Sequence, residues 1–188
     1  VVRKAGPNAA ELFLTKDPVR AQALAAELCE QNKLRQNEEN KILEQTLTRL
    51  RREYNPLEDK IIVLAGEGWH QGVIGIVCSR LCDRYGCPVV LISVDEDGVG
   101  KGSGRSIGSF NLFEALTSCE DLFERYGGHA LAAGLTVQAD RIEELRTRLR
   151  KYAETHVTMA ELVPQLHIDC MVQSLSLIHI SEPTRLRR

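Results

Sequence analysis

Two short runs rich in β-branched residues, KIIVLA at 60–65 and VVLISV at 89–94, stand one helix apart, and that spacing constrains the fold more than any other feature. Each is almost wholly apolar, as a strand buried on both faces is. Between them comes GEGWHQG and then an apolar-periodic stretch through Val73, Ile76, Val77 and Leu81, closed by Gly86 and Pro88, which predicts a helix. Strand, glycine turn, helix and strand predict a βαβ unit with a right-handed crossover. A turn of this kind aims the first helical amides at a ligand, so Trp69 and His70 become candidates to face a substrate. A lone tryptophan also serves commonly as a core or capping residue.

The rest of the chain continues the alternation. DEDG at 95–98 reads as a turn, and residues 98–106, alternating small side chains, as a further strand. Asn111 with Glu114 forms a capping box for a helix carrying Leu112, Leu116, Leu122 and Phe123. LTVQ at 135–138 is strand-like, and Asp140 with Glu143 starts a capped helix with Ile142, Leu145, Leu149 and Tyr152 inward. The fold class is therefore α/β. Ahead of it, Asp17-Pro18 is a good helix start, followed by Leu24, Leu28, Ile42, Leu43, Leu47 and Leu50 until Asn55-Pro56. This is one long amphipathic helix, or two broken near Asn32. QNKLRQNEEN interrupts its apolar stripe, favouring a strut partly in water over a coiled-coil seam.

The 188 residues are 43% hydrophobic with no apolar run of membrane length, which predicts a soluble, globular chain. Six scattered cysteines without a C-x-x-C pair, and no signal peptide ahead of them, read as reduced thiols of a cytoplasmic protein. The net charge is −2, so any nucleic-acid contact must be local. The opening VVRKAGPNAAELFLT lacks an initiator methionine and reads as the end of a domain whose body is missing. Leu162 to Cys170 reads as the entry to a further β-domain. LSLIHISEPTR at 175–185 resembles the translation of a sequencing-library adaptor, which leaves His179 without functional weight.

Two stretches carry the chemistry. GVGKGSGRSIGSFN at 98–111 sets Lys101 and Arg105 among glycines, and YGGHALAAG at 126–134 strips side chains from around His129. Gly127 and Gly128 can take positive φ, and a short helix starting near His129 would point free amides at an anion beneath the imidazole. The two loops would then form two walls of one phosphate pocket. The same letters also permit a glycine C-cap followed by a tight turn. Neither a dinucleotide-binding nor a phosphate-loop pattern fits, and Asp95-Glu96-Asp97 lacks the ligand spacing of a calcium loop. With no Asp-His-His run and no Asp/His cluster, no catalytic or metal-binding residue is assigned.

GEGWHQGVIGIVCSRL, GKGSGRSIGSFNLFEAL and GGHALAAG, in this order and spacing, resemble the C-terminal half of the nuclease core of RecJ-type single-stranded-DNA-specific exonucleases. These belong to the phosphoesterase superfamily named for an Asp-His-His motif, and the resemblance runs from about Ala9 to Cys170. It implies four segments: the end of a truncated phosphoesterase domain at 1–16, a connecting helix at 17–56, a substrate-binding associated α/β domain with a mixed sheet at 57–158 and the start of an OB-like β-domain at 159–174, with the adaptor-like tail at 175–188 standing apart from it. By the same resemblance Arg105, Ser106, Gly127, Gly128, His129 and Gly134 hold substrate, with Lys101, Ser103, Trp69 and His70 as weaker candidates. It further implies 5′→3′ hydrolysis of single-stranded DNA in repair and recombination, and Mn²⁺ or Mg²⁺ ligands in the missing N-terminal domain. The fragment alone is then expected to be inactive. Single-stranded DNA, a single-strand-binding protein and a helicase are the implied partners. The alternatives are a lobe of an oligonucleotide or cyclic-dinucleotide phosphodiesterase of the same superfamily, and a non-catalytic nucleic-acid-binding module.

Overall fold

The computed structural model of the protein describes residues 2–56 and 58–162. The 163–174 part of the expected β-domain and the 175–188 tail lie outside the described residues. Helix α1 (Val2–Leu14) leads into helix α2 (Pro18–Glu53), which is continuous, without the break allowed near Asn32. Asp17 caps α2 as its sequence requires, its carboxylate accepting the amide of Val19 at 2.9 Å. Strand β1 (Ile62–Glu67), helix α3 (Gln71–Tyr85) and strand β2 (Val89–Val94) form the expected βαβ unit, with β1 and β2 parallel. Gly86, at φ 65°, stops α3.

Gly98, at φ 77°, then turns the chain into strand β3 (Val99–Arg105). Helix α4 (Leu112–Thr117) is opened by the Asn111–Glu114 box, with the Glu114 amide donating to Asn111 Oδ1 at 3.3 Å and Asn111 Nδ2 donating to Glu114 Oε1 at 2.8 Å. It is shorter than expected: Leu122 falls in a separate 3₁₀ turn and Phe123 starts strand β4 (Phe123–His129). Strand β5 (Ala132–Gln138) and helix α5 (Ile142–His156) follow. Asp140 does not cap α5, because residues 139–141 tighten into a 3₁₀ turn and leave Arg141 at the cap position.

The five strands lie in the order β1-β2-β3-β5-β4, and every pair but the first is antiparallel, which makes the sheet mixed. One face is covered across its width: Ile61, Val63, Val90, Ile92, Ala133, Leu135 and Val137 pack with Leu112, Leu116, Leu145 and Leu149 of α4 and α5. The other face is covered at its β1–β2 end, where Ile62, Leu64, Val89 and Leu91 meet Val73, Ile74, Val77 and Leu81 of α3 and Ile42 and Leu50 of α2, and α3 reaches as far as β3, where the Cys78 thiol donates to the Ser103 carbonyl.

The C-terminal half of α2 is therefore part of the domain's core. Glu39, 5% exposed, accepts from Arg35 of its own helix at 2.6 Å and from Arg80 of α3 at 2.9 Å. Arg49 donates to the Ala65 carbonyl at 2.5 Å and Arg146 of α5 to that of Val63 at 3.0 Å. β1 is an edge strand, and these two guanidinium groups cover its carbonyls against pairing with another strand.

Candidate nucleic-acid interface

Direct register places the outward residues of β3, β5 and β4 in three rows. Arg105, Ala132 and His129 form the first, Ser103, Gly134 and Gly127 the second, and Lys101, Thr136 and Arg125 the third. Residues opposite one another in antiparallel strands share a face, so all nine belong to the face that carries α3, with Ser103 and Arg105 at the edge of that helix and the residues of β4 and β5 beyond it. Arg105 and His129 stand two strand spacings apart, about 10 Å, and Arg105 and Lys101 about 13 Å apart along β3. Thus the two stretches expected to wall a pocket lie in one sheet, the first as β3 and the second as the end of β4 and the start of β5.

This corrects the expectation at His129. YGGH continues β4 into a two-residue turn, Ala130-Leu131, and starts no helix, so free helical amides do not stand there. The imidazole is exposed, and its Nδ1 accepts the Leu131 amide at 3.3 Å, which leaves the neutral ring's proton on Nε2. Of the two adjacent glycines only Gly128 has positive φ, 147°. A Cβ there would lie 2.3 Å from the Ala132 carbonyl oxygen, so Gly128 is required by the hairpin. A Cβ on Gly127 would meet nothing within 4 Å, and one on Gly134 only the Gly102 oxygen at 3.8 Å.

The glycines of β3 have a different purpose from the one expected. Gly100, Gly102 and Gly104 point to the opposite face, where added Cβ atoms would lie 2.8 Å from Ile92, 2.7 Å from Leu135 and 2.7 Å from Leu112. They make room for the core. Only the intervening Lys101, Ser103 and Arg105 face outward. Arg105 Nη1 donates to Ser103 Oγ at 3.2 Å and to the Gly104 carbonyl at 2.7 Å, and no carboxylate pairs with it among the described residues. Below it the Cys78 thiol donates to the Ser103 carbonyl at 2.9 Å, and burial pushes that thiol up to about 12. Ser106 is turned aside: its hydroxyl donates to the Phe110 carbonyl at 2.8 Å, shaping the loop into α4.

Trp69 and His70 lie elsewhere. Trp69 is 6% exposed, its indole N–H donating to Gln45 of α2 at 2.7 Å, which is a core position and not a stacking platform. His70 caps α3 through Nδ1, 3.1 Å from the Gly72 amide. Both line a concavity at the carboxyl ends of β1 and β2 whose rim carries Glu67, Asp95 and Glu96. Three carboxylates make that groove a poor host for phosphate. Arg125 was missed by sequence reasoning, although it alternates with Gly127 and His129 at the period of a strand.

Among the described residues no three His, Cys, Asp or Glu side chains are grouped to hold a metal ion. No helix among them is long and apolar enough to cross a membrane.

Residues 58–155 match the DHHA1 domain. The single-stranded-DNA-specific exonuclease RecJ of Bacillus subtilis is 37% identical over 188 residues, 98% of this chain and 24% of that protein, and its counterpart from Thermus thermophilus is 37% identical over 164 residues, 84% of this chain and 23% of that protein. The chain spans about a quarter of the length of these relatives. Among solved structures, RecJ from Thermus thermophilus in complex with Mg²⁺ superposes with a TM-score of 0.70 at 38% identity, covering 79% of this chain and 23% of that one. An exonuclease RecJ bound to manganese gives 0.69 at 36% identity, covering 82% and 39%. With a long helix before a mixed α/β sheet as in those structures, and a domain match across more than half of its length, this chain belongs to the DHHA1-domain family.

Proposed function

We propose that this chain is the substrate-phosphate-binding lobe of a 5′→3′ single-strand-specific DNA exonuclease. The observation that carries the reading is the middle row of the open face. Glycine weakens a strand interior, and neither Gly127 nor Gly134 is needed for packing or for φ. What their bareness provides is close approach to the sheet, between Arg105 and His129 on one side and Lys101 and Arg125 on the other.

Arg105 is anchored through Nη1 on Ser103 Oγ and the Gly104 carbonyl, and its remaining N–H groups together with the Ser103 hydroxyl proton are the donors this pair offers a terminal or bridging phosphate. His129 supplies a further donor through Nε2. A charge-assisted bond of this kind is worth roughly 1.5–3 kcal/mol, or about ten- to a hundredfold in affinity. Phosphodiester hydrolysis needs an activated water and charge neutralisation on the phosphoryl oxygens. The related structures are of complexes with Mg²⁺ or manganese. In this reading the lobe binds and orients the phosphate on which the metal chemistry of the full exonuclease acts.

The test is binding of a short single-stranded oligonucleotide bearing a 5′-phosphate or a 5′-hydroxyl, with Arg105→Ala and His129→Ala alongside. A preference for the phosphorylated strand that both substitutions erase supports the reading. Equal binding of the two strands, or folded variants that bind like the parent, refutes it.

A further inference from the structure

Gly75 sits in the interior of α3, where glycine is the least favourable residue after proline. It is half-buried, and neither a turn nor a positive φ calls for it. A Cβ at this position would meet Ser103 Oγ at 3.0 Å, Arg105 Nη2 at 3.2 Å and Arg105 Cζ at 3.8 Å, and these are its three nearest heavy atoms. All belong to the two side chains that converge on the open face. No backbone of β3 is among them. The glycine is thus not what lets the helix lie on the sheet; it is what lets Ser103 and Arg105 lie under the helix.

We infer that Gly75 is a positioning residue, holding the Ser103–Arg105 donor pair in the geometry that receives a phosphate; this rests on the reading of that pair given above. On the strand side the guanidinium is fixed by Ser103 Oγ at 3.2 Å and by the Gly104 carbonyl at 2.7 Å. On the helix side the bare backbone at Gly75 is its wall. One turn further on, the Cys78 thiol donates to the Ser103 carbonyl at 2.9 Å and ties α3 to the same residue. A methyl at position 75 makes the hydroxyl and the guanidinium give by a few tenths of an ångström, since contacts of 3.0–3.2 Å are tighter than a Cβ ordinarily makes. A larger side chain drives Arg105 out from beneath the helix altogether. Alanine meanwhile restores helix propensity, so the expected loss falls on binding and not on folding.

The experiment compares the full chain with Gly75→Ala, Gly75→Leu, Arg105→Ala and the Gly75→Ala/Arg105→Ala double variant. It reads the affinity for a 5′-phosphorylated single strand and the melting temperature of each. Gly75→Ala is expected to weaken binding about three- to tenfold while melting no lower than the parent, and Gly75→Leu to weaken it as far as Arg105→Ala does. In the Arg105→Ala background Gly75→Ala should weaken binding by less than it does in the parent, since only Ser103 is left to be displaced. If Arg105→Ala weakens binding and Gly75→Ala does not, the inference fails while the site stands. If the two losses multiply in the double variant, Gly75 does not act through Arg105, and the inference again fails. If Arg105→Ala itself has no effect, the site reading falls and takes this inference with it. If Gly75→Ala melts lower than the parent and the Arg105→Ala background does not remove that loss, position 75 serves folding and the inference fails.

Discussion

Adjacent glycines in β4 should respond to the same substitution in opposite ways. At Gly128 the added Cβ would lie 2.3 Å from the Ala132 oxygen and 2.6 Å from Ala133 Cα, both backbone atoms of the partner strand, and the residue holds φ 147°. A strained backbone conformation costs about 1–3 kcal/mol and overpacking about 1–3 kcal/mol more, so Gly128→Ala is expected to lose about 2–6 kcal/mol. At Gly127 the Cβ meets nothing within 4 Å, and alanine in an element interior gains about 0.5–1 kcal/mol over glycine. For a chain of this length each kcal/mol moves the melting temperature by about 2–4 °C, which separates the two variants by on the order of 10 °C. Binding should rank the other way. The Gly127 methyl stands on the open face between Arg105–His129 and Lys101–Arg125, so the stable variant is expected to lose about tenfold in single-strand affinity, equivalent to about 1.4 kcal/mol. Gly134→Ala, with 3.8 Å of clearance, should behave like Gly127→Ala. Calorimetry and an oligonucleotide titration check both halves. The reasoning is refuted if Gly127→Ala melts as low as Gly128→Ala, or if stable Gly127→Ala and Gly134→Ala proteins bind like the parent.

Other parts of the structure make independent predictions. Glu39→Gln leaves Arg35 and Arg80 without their shared carboxylate; because both arginines reach solvent, the loss should fall below the roughly 3–5 kcal/mol of a fully buried pair, at about 1–3 kcal/mol. Limited proteolysis should then cut within α2 sooner. Gly66→Ala places a Cβ 2.3 Å from Trp69 Cε2, so it should unseat the indole and shift its emission to the red, whereas adding oligonucleotide to the parent should leave that emission unchanged. Burial pushes the thiols of Cys78 and Cys87 up to about 12 and that of Cys82 to about 11, against an ordinary value near 9. Above pH 9 the unfolded chain therefore binds fewer protons than the folded one, and stability should fall with rising pH by up to about 1.4 kcal/mol per pH unit for each such thiol. Denaturant titrations from pH 8 to 10.5 check the slope, which Cys78→Ala should flatten.

The limits of what could be read from the letters have a physical cause in the glycines. The βαβ unit was legible because Ile61–Leu64, the α3 period and Val89–Ile92 each point to one structure, and tertiary packing agrees with all three. The Asp17 and Asn111 caps were legible because a cap is a local contact. Glycine carries no such signal. In GVGKGSGR and YGGH it satisfies three demands that look alike in one dimension: a core face with no room for Cβ at Gly102, a strained hairpin at Gly128, and a bare surface at Gly127. Only the strand register separates them, since residues two apart share a face and neighbours oppose. Reading YGGH as a loop discarded that period, and Arg125 was lost with it. Once Arg125, Gly127 and His129 are placed on one face, and Lys101, Ser103 and Arg105 on the same face two strands away, the cations and the unneeded glycines coincide. That coincidence is what sets the β3–β5–β4 half of the sheet apart from the β1–β2 half, where Ile62, Leu64, Val89 and Leu91 fill the same face with side chains that have packing partners.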